Sequence, residues 1–437
     1  EGKMAEQFMI KGVDVMALEG RAALEMLVQE RGVIEDWYSK DADLQKNGLE
    51  RFVKLVQLMT IKADPDDDEE MTDVFESIAK LVNFFDSDYS YSTPEKRAAA
   101  LGILDFIAEQ GIDFTKARYC GSQRTSLRDY LLKWVHKKVP LLEKMFQVGV
   151  DLDKTLDDGK TLAHSLVARD RFGSPYETDP REQELVECME FFSTESMEAL
   201  DGDGICAVHA AAKNNHFEVL EAMIRKGVNV NVTADSPAVA GSTPLHMACE
   251  HGYPKIVQML MDAGADDTMM NVKEETPAHI AVSKKISYKE IKEAERVEML
   301  RALKHIDIPG REGKTPLMLV QSRDLYISGT VSPVLIEMGA DVNRRDNDGN
   351  NAMMLCAEWH GTMNVVKAMI KAGLDLNARN KEGNTVLHRL LVRNNIQAAV
   401  YLIKKGADYN IANEQQVTPM QIAVEDGRTE VLELMDI

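Results

Sequence analysis

The residues that could do chemistry here recur. His164, His209, His246, His279 and His388 each stand three positions after Thr161, Cys206, Thr243, Thr276 or Thr385. Five imidazoles in one slot suggest a metal site. If each slot belongs to one layer of stacked helix pairs, however, neighbours lie about 10 Å apart, the width of a helix. A zinc–nitrogen bond is about 2 Å, so adjacent slots cannot share an ion. Each imidazole is therefore expected to hydrogen-bond the backbone of the adjoining turn.

Other groups offer less. Cys120, Cys188, Cys206, Cys249 and Cys356 are odd in number and show no CxxC spacing, so neither a disulfide framework nor a zinc site is expected. Cys249 and Cys356, if buried, would behave as small hydrophobes. Asp346-x-Asp348-Gly349-Asn350 and Asp201-Gly202-Asp203-Gly204 resemble calcium loops only faintly, lacking the sixth-position glycine and the distant bidentate glutamate, and read as turns. There is no GxxxxGK[ST], GxSxG, HExxH or GxGxxG. No catalytic residue, cofactor or metal is expected, and the protein is not expected to be an enzyme.

The elements that position these residues follow from the spacing. Thr243-Pro244-Leu245-His246 opens one unit, and the same slot holds Thr276-Pro277-Ala278-His279, Thr315-Pro316-Leu317-Met318, Thr385-Val386-Leu387-His388 and Thr418-Pro419-Met420-Gln421. Thr161-Leu162-Ala163-His164, Cys206-Ala207-Val208-His209 and Asn351-Ala352-Met353-Met354 are weaker copies. First positions from 161 differ by 45, 37, 33, 39, 36, 34 and 33 residues, a period near 33 with insertions. A second signature keeps step: Gly227-x-Asn229-x-Asn231, Gly339-x-Asp341-x-Asn343, Gly373-x-Asp375-x-Asn377 and Gly406-x-Asp408-x-Asn410. Thr-Pro caps and starts a helix. An apolar stripe such as Ile256, Val257, Leu260 and Met261 marks a second helix, and glycine ends it in a left-handed conformation.

These two motifs, in register from about residue 120 to the end, resemble the ankyrin repeat family. The resemblance implies an all-α, helix-turn-helix solenoid with β-hairpin or loop tips. Residues 118–437 are expected to form about nine units. Residues 1–117 are expected to form degenerate units or a helical cap, with an apolar helix from Ala98 to Ala108 closed by Gly111-Ile112-Asp113-Phe114. Residues 1–118 carry 25 acidic and 14 basic side chains, including the run Asp64-Pro65-Asp66-Asp67-Asp68-Glu69-Glu70, read as a solvated loop.

The resemblance also implies a protein–protein interaction scaffold or adaptor. Its contact residues would lie at the ends of the first helices (Lys213, Asn214, Glu250, His251, Arg323, Glu358, Trp359, Arg393) and at the tips (Arg344, Arg345, Asn347, Arg379, Lys381). Trp359 with Arg345, Arg379 and Arg393 would make a basic patch suited to an acidic segment. The alternatives are a self-associating array, or repeats that recruit substrate to an enzymatic region within 1–118, which holds no His or Cys. The net charge of −21 disfavours nucleic acid and anionic membranes, which need a basic face. No apolar run reaches 18 residues, so no membrane insertion is expected. A monomer in a reducing cytoplasmic compartment is the simplest expectation. The opening Glu1-Gly2-Lys3 suits a processed or trimmed product, so secretion into a host stays open.

Overall fold

The computed structural model describes residues 94–435, except 117, 121–122, 135–137, 156–158, 168–179, 284–292, 324 and 358–362, together with 9–10, 13–14, 57 and 78. The irregular stretch 16–92 and its acidic run lie almost wholly outside the described residues. Those residues form twenty α-helices and two short antiparallel strand pairs. The strands are β1 (Met9–Ile10) with β2 (Val13–Asp14), and β3 (Arg118–Cys120) with β4 (Gln123–Thr125). The fold is an all-α solenoid of helix–turn–helix units. The chain divides into two compact units, one of residues 1–166 and 176–202, the other of 167–175 and 203–437.

In the first unit, α1 (Pro94–Glu109) ends at Gly111, whose φ is +76°, and Asp113 then accepts the Thr115 N–H at 2.8 Å. That is the closing turn the repeats use. Next come α2 (Leu127–Trp134), α3 (Lys138–Gln147), α4 (Leu162–Val167), α5 (Pro180–Met189) and α6 (Thr194–Glu198). Helix α3 contacts both α1 and α5. Arg128 on α2 is 1% exposed and donates to the carbonyls of Asp151, Leu152 and Lys154 at 2.9–3.3 Å, closing the turn after α3.

The second unit stacks seven helix pairs among the described residues. Their first helices are α7 (Ala207–Lys213), α9 (Pro244–His251), α11 (Pro277–Ala281), α13 (Pro316–Arg323), α15 (Ala352–Ala357), α17 (Val386–Val392) and α19 (Pro419–Glu425). Each contacts the next. The second helices are α8 (Phe217–Arg225), α10 (Pro254–Asp262), α12 (Glu293–Ala302), α14 (Leu325–Glu337), α16 (Met363–Lys371), α18 (Ile396–Lys404) and α20 (Thr429–Leu432). One pair cannot cover its own apolar face, so stacking supplies the core. Ala248, Cys249 and Ala281 are fully buried where first helices meet, and Val257, Leu260 and Met369 where second helices meet.

Local sequence explains each pair. Thr243 caps α9, accepting the His246 N–H, and Pro244 fills the first helical position, where no N–H is needed. At the far end of the pairs Gly227, Gly264, Gly339, Gly373 and Gly406 have φ between +88° and +99°. An added Cβ would meet nothing within 4 Å at any of these five. Conformation, not space, selects glycine there.

The recurring histidines lock one pair to the next. His246 is 1% exposed: its Nδ1 accepts the backbone N–H of Thr243 at 3.1 Å and sits 2.8 Å from that residue's hydroxyl. Its Nε2 then donates to the Glu275 carbonyl, 3.1 Å away in the next unit. His279 makes the same bridge to Lys314, and His388 to Val417, both at 3.0 Å. His209 reaches the Ser242 carbonyl at 3.0 Å, with Cys206 in the threonine's place. His164 differs, its Nδ1 lying 3.2 Å from the buried Asp201 carboxylate.

Candidate protein-binding edge

The loops between units are built to one plan. In four tips the residue five before the opening position, Asn271, Asp346, Asn380 or Asn413, accepts two backbone N–H groups of its own turn at 2.8–3.0 Å. In Asn380 one of the pair is longer, the Glu382 N–H at 3.1 Å. The calcium-like Asp346 loop is such a turn: its carboxylate caps the N–H groups of Asp348 and Asn350.

Backbone hydrogen bonds then tie tip to tip. Val272 N–H donates to Ala240 O, Asn347 to Glu312, Lys381 to Asp348 and Glu414 to Glu382, all at 2.8–3.0 Å. Behind the tips the Asn-x-x motif clips successive units. Asn231, Asn343 and Asn377 accept the backbone N–H of Asp266, Asp375 and Asp408 at 2.7–2.8 Å. The edge is held by backbone and buried amides, which leaves the longer side chains to point outward.

The expected tip residues lie along this edge in different states. Arg344 pairs with Asp307 at 3.0 Å, against burial that pushes the Asp307 carboxyl up. Arg345 donates to the Arg379 carbonyl at 3.1 Å, so these two arginines are neighbours. Arg379 is committed twice, to the Gly383 carbonyl at 3.2 Å and to Glu414 at 3.2 Å. Asn347 and Lys381 are exposed and supply ladder rungs through their backbone.

On the first helices, Lys213 is exposed, and Glu250 and His251 are half-buried. Burial, with the Lys213 ammonium adding to it, holds His251 below the usual imidazole range, and its ring stacks on Tyr253 at 6.1 Å. Asn214 donates to the Val167 carbonyl at 3.2 Å within the same unit. Arg393 caps the end of α17 and is exposed. Arg323 closes α13. Glu358 and Trp359 lie outside the described residues, so Arg345, Arg379 and Arg393 are placed without the tryptophan expected beside them.

Cys249 and Cys356 are not poised as nucleophiles. Cys188, Cys206, Cys249 and Cys356 are buried, and burial pushes the Cys249 thiol up and the Cys356 thiol up to about 12. Among the described residues no cluster of His, Cys, Asp and Glu fits a metal ion, and no helix is long and apolar enough to cross a membrane.

Two features went unread in the sequence. Buried Arg296 donates to the carbonyls of Ala281 and Ser283 at 2.7–2.8 Å, ending the short α11 before the insertion. A cleft lined by Lys273, Arg311 and Lys314 separates two tips. Its signal was available: Gly310 stands where four other tips carry Asn271, Asp346, Asn380 and Asn413.

A family profile for ankyrin repeats matches residues 181–271, 208–299 and 353–435. A Danio rerio protein whose name assigns it to the palmitoyltransferases is 28% identical over 166 residues, 38% of this chain and 24% of that protein. Neurogenic locus notch homolog protein 1 of Homo sapiens is 25% identical over 284 residues, 62% of this chain and 9% of that protein. Protein phosphatase 1 regulatory subunit 27 of Homo sapiens is 29% identical over 85 residues, 20% and 53% respectively. The chain thus spans about half or less of the length of these relatives. The solved ankyrin repeat domain of Bcl-3 superposes with a TM-score of 0.45 at 21% identity, covering 54% of this chain and all of that one. With the Thr-Pro-x-His helices, the left-handed glycines and the tip ladder, the profile matches establish that this chain carries ankyrin repeats.

Proposed function

We propose that this chain is a protein-binding scaffold or adaptor, without catalytic activity of its own, that holds a partner along its hairpin tips and the ends of its first helices. The observation that carries the reading is the tip ladder. Backbone bonds fix the row of loops, so outward side chains such as Arg345, Asn347 and Lys381 are presented with little ordering left to do on binding. The 29%-identical regulatory subunit of a phosphatase is in keeping with a role exerted through another protein. In this reading the array begins at residue 118, and residues 1–117 are degenerate units or a helical cap.

The centre of the surface is the patch from Arg344 to Arg393 with Glu358 and Trp359, flanked by Arg323 and by the strip Lys213, Asn214, Glu250 and His251. Exposed tryptophan and arginine are the commonest binding hot spots. Replacing Trp359 and Arg393 together by alanine is expected to weaken capture of the partner protein by well over tenfold, measured on the partner recovered from the source lysate. Unchanged capture by the double variant would overturn this placement of the surface.

A further inference from the structure

The tip ladder breaks once between residues 240 and 414. By the pattern of the other rungs, the Lys273 carbonyl should accept the Arg311 N–H, yet among the described residues no such bond forms. The cause is local. Gly310 replaces the capping Asn or Asp, because a Cβ there would lie 2.4 Å from the Glu274 carbonyl oxygen and 2.7 Å from His279 Nε2. Without that cap the turn departs at one residue: Glu312 takes φ +60°, ψ +19°, while Gly313 at φ +70° keeps the left-handed conformation of Glu274, Gly349, Gly383 and Gln416 at the other tips.

The missing rung leaves a cleft of about 160 Å³ between the two tips. That is below the several hundred Å³ of a small-molecule pocket and suits a single side chain. Its charges are uneven. Lys314 Nζ is held by Glu312 at 2.7 Å, and the Glu275 carboxylate takes the Asn271 amide at 3.4 Å. Lys273 and Arg311 have no carboxylate within ion-pair distance among the described residues, and both are exposed. His279, on the cleft floor, has its Nε2 committed to the Lys314 carbonyl and is held below the usual imidazole range by burial, so it adds no charge at neutral pH. Two cations and one backbone N–H thus face a small opening on a protein of net charge −21.

One rung along, the edge changes character. Val272 is 65% exposed and Met270 41%, and Val272 is bonded to Ala240 on the 235–241 finger, where Pro237 and Ala238 are also exposed. In the other direction the neighbours are Arg345, Arg379 and Lys381. Read along the tips, the order is apolar, then cationic cleft, then arginines.

We propose that the cleft between the tips at 271–275 and 310–314 takes a carboxylate side chain from an extended segment of a protein partner, whose neighbouring residue toward the 235–241 finger is apolar. This rests on the reading of the tips as a protein-binding edge and specifies which segment chemistry that edge selects. Arg311 offers a guanidinium and a free backbone N–H to one carboxylate, a charge-assisted set. Val272, Met270 and the finger would cover the adjacent apolar side chain.

A library of random 12-residue peptides displayed on phage and panned on the full chain tests this, with the affinity of enriched peptides then measured by fluorescence anisotropy. The expected consensus is Asp or Glu within three residues of Leu, Ile, Val, Met or Phe. Lys273→Ala with Arg311→Ala should weaken such peptides at least about tenfold, and Val272→Asp should weaken them independently. Lys273→Glu with Arg311→Glu should regain affinity for the same peptide with its acid changed to lysine, which separates direct pairing from damage to the fold. A consensus without an acid, affinity within twofold of the parent in the Lys273/Arg311 variant, or no enrichment at all would overturn the cleft's role. Trp359→Ala with Arg393→Ala supplies the distinguishing arm. If that variant captures the lysate partner normally while acidic peptides still depend on Lys273 and Arg311, the cleft stands and the surface centred on Trp359 falls.

Discussion

The interfaces between successive repeats are closed by two different polar devices. Around α9, α11 and α17 an imidazole spans the joint, accepting from the capping threonine and donating to a carbonyl of the next unit. The joint between the α15 and α17 units has Met354 in the histidine slot, fully buried, and is spanned at the tip by an amide instead: Asn380 Nδ2 donates to Asn350 Oδ1 at 2.9 Å. Asn413 repeats that contact on Asn384, so the joint after α17 has both devices. The helical layers stack alike in both cases. The stacking of the helical layers therefore does not depend on one bridge chemistry, and only one of the two bridges titrates.

The comparison breaks most sharply at His246. Alanine there leaves the Thr243 N–H and the Glu275 carbonyl without their partner in a site 1% exposed, and opens a void the size of an imidazole. The expected loss is about 3 kcal/mol, from one unsatisfied buried polar pair plus lost packing. Urea unfolding followed by circular dichroism would show it. A loss under about 1 kcal/mol would mean that the imidazole bridge is ornamental to the joint.

Acid should separate the two devices next. Burial lowers the His246 pKa to about 4, and the backbone acceptor at Glu275 only partly offsets it. The geometry agrees, because a proton on Nδ1 would face the Thr243 N–H. His279 and His388 are lowered by burial as well. The unfolded chain takes up these protons near pH 6.5, and the folded chain does so only at lower pH. Stability from neutral imidazoles is thus complete above about pH 6.5 and is lost as pH falls toward 4. For His246 alone the loss between pH 7 and pH 5 should be about 2 kcal/mol. Changing His246 to Gln should flatten this part of the pH dependence, since Gln421 already does the capping half of the task, accepting the Thr418 N–H at 2.7 Å. An equally steep acid loss in that variant would place the titration elsewhere.

The two devices also differ in how they can be read from the sequence. Thr-Pro-x-His is legible because capping, the first-turn proline and the bridge all lie within four residues and recur with the period. The closing glycines are legible for the same reason. The carbonyl acceptors of His209, His246, His279 and His388 follow from the shared slot, whereas His164 pairs with Asp201, a residue thirty-seven positions away that no local pattern marks. Arg128 and Arg296 look like ordinary surface charge until the backbone shows carbonyls turned toward them. The cationic cleft was missed because it arises from an absent side chain at Gly310, and its consequence is felt one repeat away, at Lys273. Arg345 and Arg379 are neighbours, and Glu414 offsets part of their charge, a pairing thirty-five residues apart that no local pattern marks.

The amide bridge gives the smallest effect and the cleanest contrast. Asn380 is 8% exposed, caps the N–H groups of Glu382 and Asn384, and donates to Asn350. Asn380→Ala removes those bonds but leaves less void than loss of an imidazole, and the tip is near enough to solvent for water to replace part of them. A loss of about 1–2 kcal/mol is expected. It should be the same at pH 7 and pH 5, because no group in this joint's bridge changes charge in that window. Asn380→Asp sharpens the point. The carboxylate keeps both caps but loses the donor to Asn350, so it isolates the bridge from the turn, and its cost should be less than that of alanine. A loss from Asn380→Ala that grows on acidification would show that the amide and imidazole joints are coupled along the stack, and that the bridges do not act joint by joint.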